Sequence, residues 1–166
     1  MRRLFHLLAC LGLLLAGPTL RAAPSPAPAG LHIVRVFSGW RDAASFKRIS
    51  EYFDGRENTG GETILRTHPD QRAGYYFLVR LAHAGATLPV KISLQLIAAG
   101  EAKPRLYSFA EDLKNGESVL QLGLTGTDWP DPKANPVAWK LDVLSADGQT
   151  LATEESYVWA KPAGIP

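Results

Sequence analysis

The side chains best suited to recognition in this 166-residue chain are two tryptophans and a band of arginines. Trp40 follows an apolar run, and Trp129 lies in the proline-rich stretch Thr125-Gly-Thr-Asp-Trp-Pro-Asp-Pro132. An exposed indole stacks on a sugar ring or anchors a protein partner, whereas an inward one plugs the end of a domain. The plug is the simpler reading for both, and Asp128 beside Trp129 is the polar contact a ligand would meet. Between Arg35 and Arg80 there are seven arginines and one lysine; beyond residue 81 there are six lysines and a single arginine, Arg105. The arginine-rich half also carries Asp42, Glu51, Asp54, Glu57, Glu62 and Asp70. A planar guanidinium pairs carboxylates in a bidentate way, so this composition predicts an ion-pair network through Arg41, Arg48, Arg56, Arg66 and Arg72. The alternative is an anionic-ligand site at Arg66-Thr67-His68 with Arg72.

Catalytic chemistry finds little support. Outside the first 22 residues the histidines are His32, His68 and His83, never at metal-ligand spacing. Neither a Gly-x-Ser-x-Gly elbow nor a phosphate loop occurs, since Thr59-Gly-Gly-Glu62 lacks the lysine. Glu154 and Glu155 are neighbours on a predicted strand and point to opposite faces, so they cannot flank one glycosidic bond. Asp128, Asp131 and Asn135 lack the alternation and central glycine of a calcium loop. The sequence therefore assigns no catalytic residue, no metal ligand and no cofactor site, and a non-enzyme is expected.

Strands must position the remaining candidates. Leu31 to Phe37 reads as a first strand. Ala43, Phe46, Ile49, Tyr52 and Phe53 then fall near helical spacing, which predicts a short helix over 42–53 with Asp42 as N-cap and Gly55 as stop. Strands follow over 62–67, 75–81, 90–97, 105–109 and 118–124. Tyr75 to Leu81 is apolar on both faces, as a central strand requires, while Ile92, Leu94 and Leu96 alternate with polar residues. Near the end, Val137, Trp139, Leu141 and Val143 alternate with Lys140 and Asp142, Asp147-Gly148 turns the chain, and 150–159 returns. Asp-Gly between such strands predicts a type I′ hairpin, with Trp139 and Trp159 in the core.

Export is predicted from the start of the chain. Met1-Arg2-Arg3, the apolar run from Leu4 to Gly17 with seven leucines, Pro18 and the small residues Ala22 and Ala23 form a signal-peptide pattern over 1–22. Residues 23–30 read as a Pro/Ala-rich tether, 31–160 as the folded domain and 161–166 as a tail. A lipoprotein acylated at Cys10 is the weaker alternative, because too short an apolar run precedes that cysteine. Removing 1–22 takes away Arg2, Arg3, Arg21 and the only cysteine, leaving 15 basic and 16 acidic residues. The formal charge of +2 thus becomes −1, and the electrostatic case for nucleic acid disappears. No stretch is long enough for stable membrane insertion of the mature chain.

Seven or eight short strands spaced by turns predict a mainly β protein, a single sandwich with one short helix. The strand rhythm of the last half and the Trp139 hairpin resemble the immunoglobulin-like and fibronectin type III-like modules of bacterial secreted proteins. That resemblance implies an immunoglobulin-like sandwich and a binding or assembly role, periplasmic or extracellular. A protein partner or envelope assembly is the leading expectation and a carbohydrate-binding module the second, with a fold-assembled hydrolase behind both. The candidate contacts are Trp129, Asp128, Trp40, Arg66 and Arg72.

Overall fold

A computed structural model describes residues 30–160, so the signal-peptide and C-terminal-tail assignments, and the tether apart from Gly30, lie outside the described residues. Eight strands form two four-stranded sheets. They are β1 (His32–Arg41), β2 (Thr63–Arg66), β3 (Gly74–His83), β4 (Leu88–Ile97), β5 (Arg105–Leu113), β6 (Gly116–Thr125), β7 (Ala138–Ser145) and β8 (Thr150–Glu155). The first sheet has the order β1-β3-β6-β2 and the second β5-β4-β7-β8. Every pairing is antiparallel except β2 with β6, which is parallel.

Period-2 alternation builds the interior. From the first sheet come Tyr75, Phe77, Val79, Leu81, Leu120, Leu122 and Leu124. Ile92, Leu94, Leu96, Leu141 and Val143 meet them from the second. Each such side chain, fully removed from water, contributes about 1.5–3 kcal/mol. A chain of rings, Trp129–Tyr75–Phe77–Trp139, runs through this layer with centroids 5.3, 5.6 and 5.6 Å apart. The mainly β sandwich expected from the sequence is what the chain forms.

Several local expectations need correction. Strand β1 continues past Phe37 to Arg41, so Trp40 lies within a strand, opposite Tyr75. The helix over 42–53 is broken: a 3-10 turn spans Ala43–Phe46, Lys47 is extended, and one helical turn, α1 (Glu51–Asp54), follows. Phe46 is buried, but Ile49, Tyr52 and Phe53 are not, so no continuous apolar stripe exists to hold a longer helix. Asp42 caps nothing with its side chain, which instead accepts the Trp40 indole N–H at 3.2 Å.

The last hairpin is real, but its turn is not type I′. Only Gly148 has positive φ, +82°, while that turn needs two such residues. The Gly148 amide bonds to the Ser145 carbonyl and the Ser145 amide to the Gln149 carbonyl, the pattern of a three-residue loop closed by a left-handed glycine. The returning strand stops at Glu155, and Trp159 lies half-buried on the short helix α2 (Tyr157–Ala160), outside the core. Trp139 does pack against the core.

Candidate functional site

Strands β1 and β2 occupy opposite edges of the first sheet, so residues 42–62 must cross that sheet to join them. The crossing is seated at one point. Tyr76, on the outward face of β3, is buried, and its neighbour across the pairing is Gly123. A Cβ at Gly123 would approach the Tyr76 ring to 2.5 Å, so the glycine makes the recess in which the phenol lies. Phe46 covers that phenol with ring centroids 4.8 Å apart. The guanidinium groups of Arg41 and Arg66 lie 4.3 and 5.0 Å from the Phe46 centroid, so two cations stack on this ring.

Around this seat the arginines divide the work. Arg66 grips Glu57 with both terminal nitrogens, at 2.9 and 2.7 Å, and donates Nε–H to the Tyr76 hydroxyl at 2.9 Å. That hydroxyl donates in turn to the Arg72 carbonyl at 2.6 Å. The Arg72 side chain bonds Glu51 at 2.6 Å and lies 3.6 Å from Glu57. The other Glu51 oxygen accepts the backbone amides of Arg48 and Asn58. The bond from Arg72 holds the Glu51 carboxyl below its ordinary range, and that from Arg66 does the same for Glu57. Burial pushes the Tyr76 phenol up. For Arg66 burial acts downward, but its bonds to Glu57 and Tyr76 outweigh it and the net shift is upward.

This frame presents an apolar knuckle to solvent. Ile49, Tyr52 and Phe53 are 78%, 77% and 86% exposed. Tyr52 and Phe53 lie on α1, and Ile49 lies on the turn leading into it, where its carbonyl accepts the Tyr52 amide. Gly55, at φ +68°, ends that turn in a left-handed conformation that bulkier residues resist. Glu51 sits inside the same turn, so the carboxylate that Arg72 holds also fixes the backbone carrying the three apolar side chains.

The tryptophans stand elsewhere. Trp129 is 3% exposed, packs 5.3 Å from Tyr75 and donates its indole N–H to the Ala134 carbonyl. It is the plug that its sequence context favoured, with nearly all of its surface buried rather than offered to a ligand. Trp40 is half-buried and lines a cleft of about 400 Å³ with Gln71, Ala73, Gly126, Thr127, Trp129 and Pro130. Nearby, His68 Nε2 lies 3.2 Å from Asp128 Oδ2 and 3.3 Å from the Thr127 hydroxyl. Both partners meet the same ring nitrogen, so the imidazole cannot relay a proton between them as a catalytic triad does.

His32 is exposed on β1. His83 is buried with Nε2 bonded to the Ala86 carbonyl at 2.8 Å. No cluster of three metal-ligating side chains occurs among the described residues, and none of their helices is long and apolar enough to cross a membrane.

No protein-family model matches the chain, and comparisons with curated proteins and with solved structures find no match.

The structure thus brings Arg66 and Arg72 together around Glu57, while Trp40 and Trp129 line a different cleft and Asp128 meets His68. Sequence reasoning missed the knuckle. Nothing in the spacing of Phe46, Ile49, Tyr52 and Phe53 distinguishes the one buried ring from the three exposed side chains. The usable signal was Asn58-Thr-Gly-Gly61 just beyond, which marks the segment as a loop rather than a packed element.

Proposed function

We propose that this chain is an exported, non-catalytic β-sandwich module that binds a protein partner through the 49–53 knuckle. The observation that carries the reading is the exposure of Ile49, Tyr52 and Phe53 on a turn fixed from beneath by Arg72 and Glu51. Exposed large apolar side chains on a mobile loop would be unremarkable. Held in place, they form an anchor that needs little ordering on binding. The strand orders β1-β3-β6 and β5-β4-β7-β8 parallel the A-B-E and C′-C-F-G arrangements of immunoglobulin-like sandwiches, which supports that resemblance and the binding role it implies.

Photo-reactive residues placed at position 53 and, as a control, at exposed Leu106 test the reading in the exporting cell. A discrete adduct with another protein at 53, absent at 106 and lost with Ile49→Ser and Tyr52→Ser, is expected. Equal adducts at both positions, or none, overturn it.

One observation favours carbohydrate as a second reading: the half-buried Trp40 walls an open cleft with the polar residues Gln71 and Thr127. A glycan array probed with the protein and with Trp40→Ala decides it. Binding lost in the variant supports this reading, and an array with no signal removes it.

A further inference from the structure

Not every cation around the crossing is neutralised. Arg41, Lys47 and Arg48 converge with Ser45, Asn58, Thr59 and Glu62 on a cleft of about 300 Å³ between the 3-10 turn and the 58–62 loop. This is within the size range of small-molecule sites. Three cations line it against one carboxylate. Glu62 accepts the Gln121 side-chain N–H and lies 3.6 Å from Arg48. The Gln121 carbonyl oxygen, turned the other way by that bond, accepts from Arg41. Among the described residues no carboxylate stands within salt-bridge distance of Arg41 or Lys47.

Two of the three cations, the arginines, are also held in place. Arg41 is clamped between the Phe46 ring and Gln121. Arg48 donates to the Thr59 carbonyl at 3.1 Å and lies against Gly60, where a Cβ would approach its guanidinium carbon to 2.4 Å. Gly60, at φ +64°, therefore serves both the turn and the seating of Arg48. Ordered guanidinium groups with unspent donors recognise oxyanions, and the hydroxyls of Ser45 and Thr59 with the Asn58 amide suit a hydroxylated body.

We infer that the cleft of Arg41, Lys47 and Arg48 binds a small oxyanion, a carboxylate or phosphate carried on a sugar-sized body. This site uses none of Ile49, Tyr52 and Phe53, although Lys47 Nζ borders the knuckle 6.0 Å from the Tyr52 ring centroid, and it stands whether or not that surface docks a protein. Its cations repeat in folded form the sequence's hint of an anionic site, but at residues other than Arg66 and Arg72.

The test is a titration of the isotopically labelled protein with glucuronate, glucose 6-phosphate, inorganic phosphate and neutral glucose, followed by backbone amide shifts. Saturating shifts at 45–48 and 58–62 are expected from glucuronate, glucose 6-phosphate or both, and none from glucose. Inorganic phosphate alone saturating would assign the site to the free ion and overturn the sugar-sized body. Lys47→Gln, a surface change that leaves the fold intact, is expected to weaken binding about threefold. Arg41→Gln combined with Arg48→Gln should weaken it at least about tenfold, with Arg41→Lys recovering part of the loss. Linear shifts, shifts equal to those from glucose, or affinity unchanged in both the Lys47 and the arginine variants overturn the inference.

Discussion

Strand β3 serves two layers built on opposite principles. Its inward residue Phe77 belongs to an apolar interior assembled from both sheets, while its outward neighbour Tyr76 supports a crossing held by ion pairs, cation–π contacts and a single buried ring. The interior holds together through many interchangeable contacts, each adding a little burial. The outer layer depends on a few directional ones that converge on Phe46, Arg66 and Arg72. Removing one partner there should release a segment, whereas removing one there in the interior should weaken the whole.

Phe77→Ala gives the largest expected effect, a loss of about 3–5 kcal/mol of global stability measured by urea unfolding. Phe46→Ala should cost about 2 kcal/mol, because its ring is packed against one aromatic and two guanidinium groups rather than a full shell. The loss should be local. Hydrogen exchange over 43–62 should accelerate while the amides of β4 and β7 keep their protection, and uniform loss of protection would break the distinction between the layers.

Gly123→Ala sharpens the same contrast from below. The added methyl would meet the Tyr76 ring at 2.5 Å, an overpacking expected to cost about 1–3 kcal/mol and to loosen the crossing before the sandwich.

The smallest effect concerns pH. Glu51 and Glu57 have folded-state pKa values below those of the unfolded chain, so their contribution is fully present above the unfolded value, about 4.3. It is lost as pH falls through their folded values. Glu51→Gln with Glu57→Gln should flatten this part of the acid limb in thermal melts, and a limb of unchanged steepness would place the acid sensitivity elsewhere.

The interior was largely legible in the sequence because a half-buried strand writes its exposure pattern at every second residue, as Ile92, Leu94 and Leu96 show. The outer layer was legible only through its chemistry. Choosing arginine over lysine pointed to pairing, and Arg48, Arg66 and Arg72 do pair with Glu62, Glu57 and Glu51; Arg41 and Arg56 make no ion pair among the described residues.

Its shape was hidden, because whether Phe46 or Phe53 is buried depends on the recess at Gly123, about seventy residues further along the chain. Trp129 is less open than its proline-rich stretch suggests for a similar reason: Tyr75, on β3, packs against its ring, while Ala134 of the same loop accepts its indole N–H. The cleft of Arg41, Lys47 and Arg48 escaped detection because Gln121, which turns Arg41, lies eighty residues away.

The parallel pairing of β2 with β6 has a consequence in time rather than in space. As the chain is synthesised, β1, the crossing and β2 are all made before β3 and β6 exist to receive them. The first sheet has no two neighbouring strands until residue 83 is complete, and β2 has no partner until residue 125. Non-local pairing of this kind is slow, and it leaves unpaired strand edges and apolar side chains waiting. The crossing and β2 are therefore the part of the first sheet that most needs protection while the chain is incomplete, and the last to be fastened down.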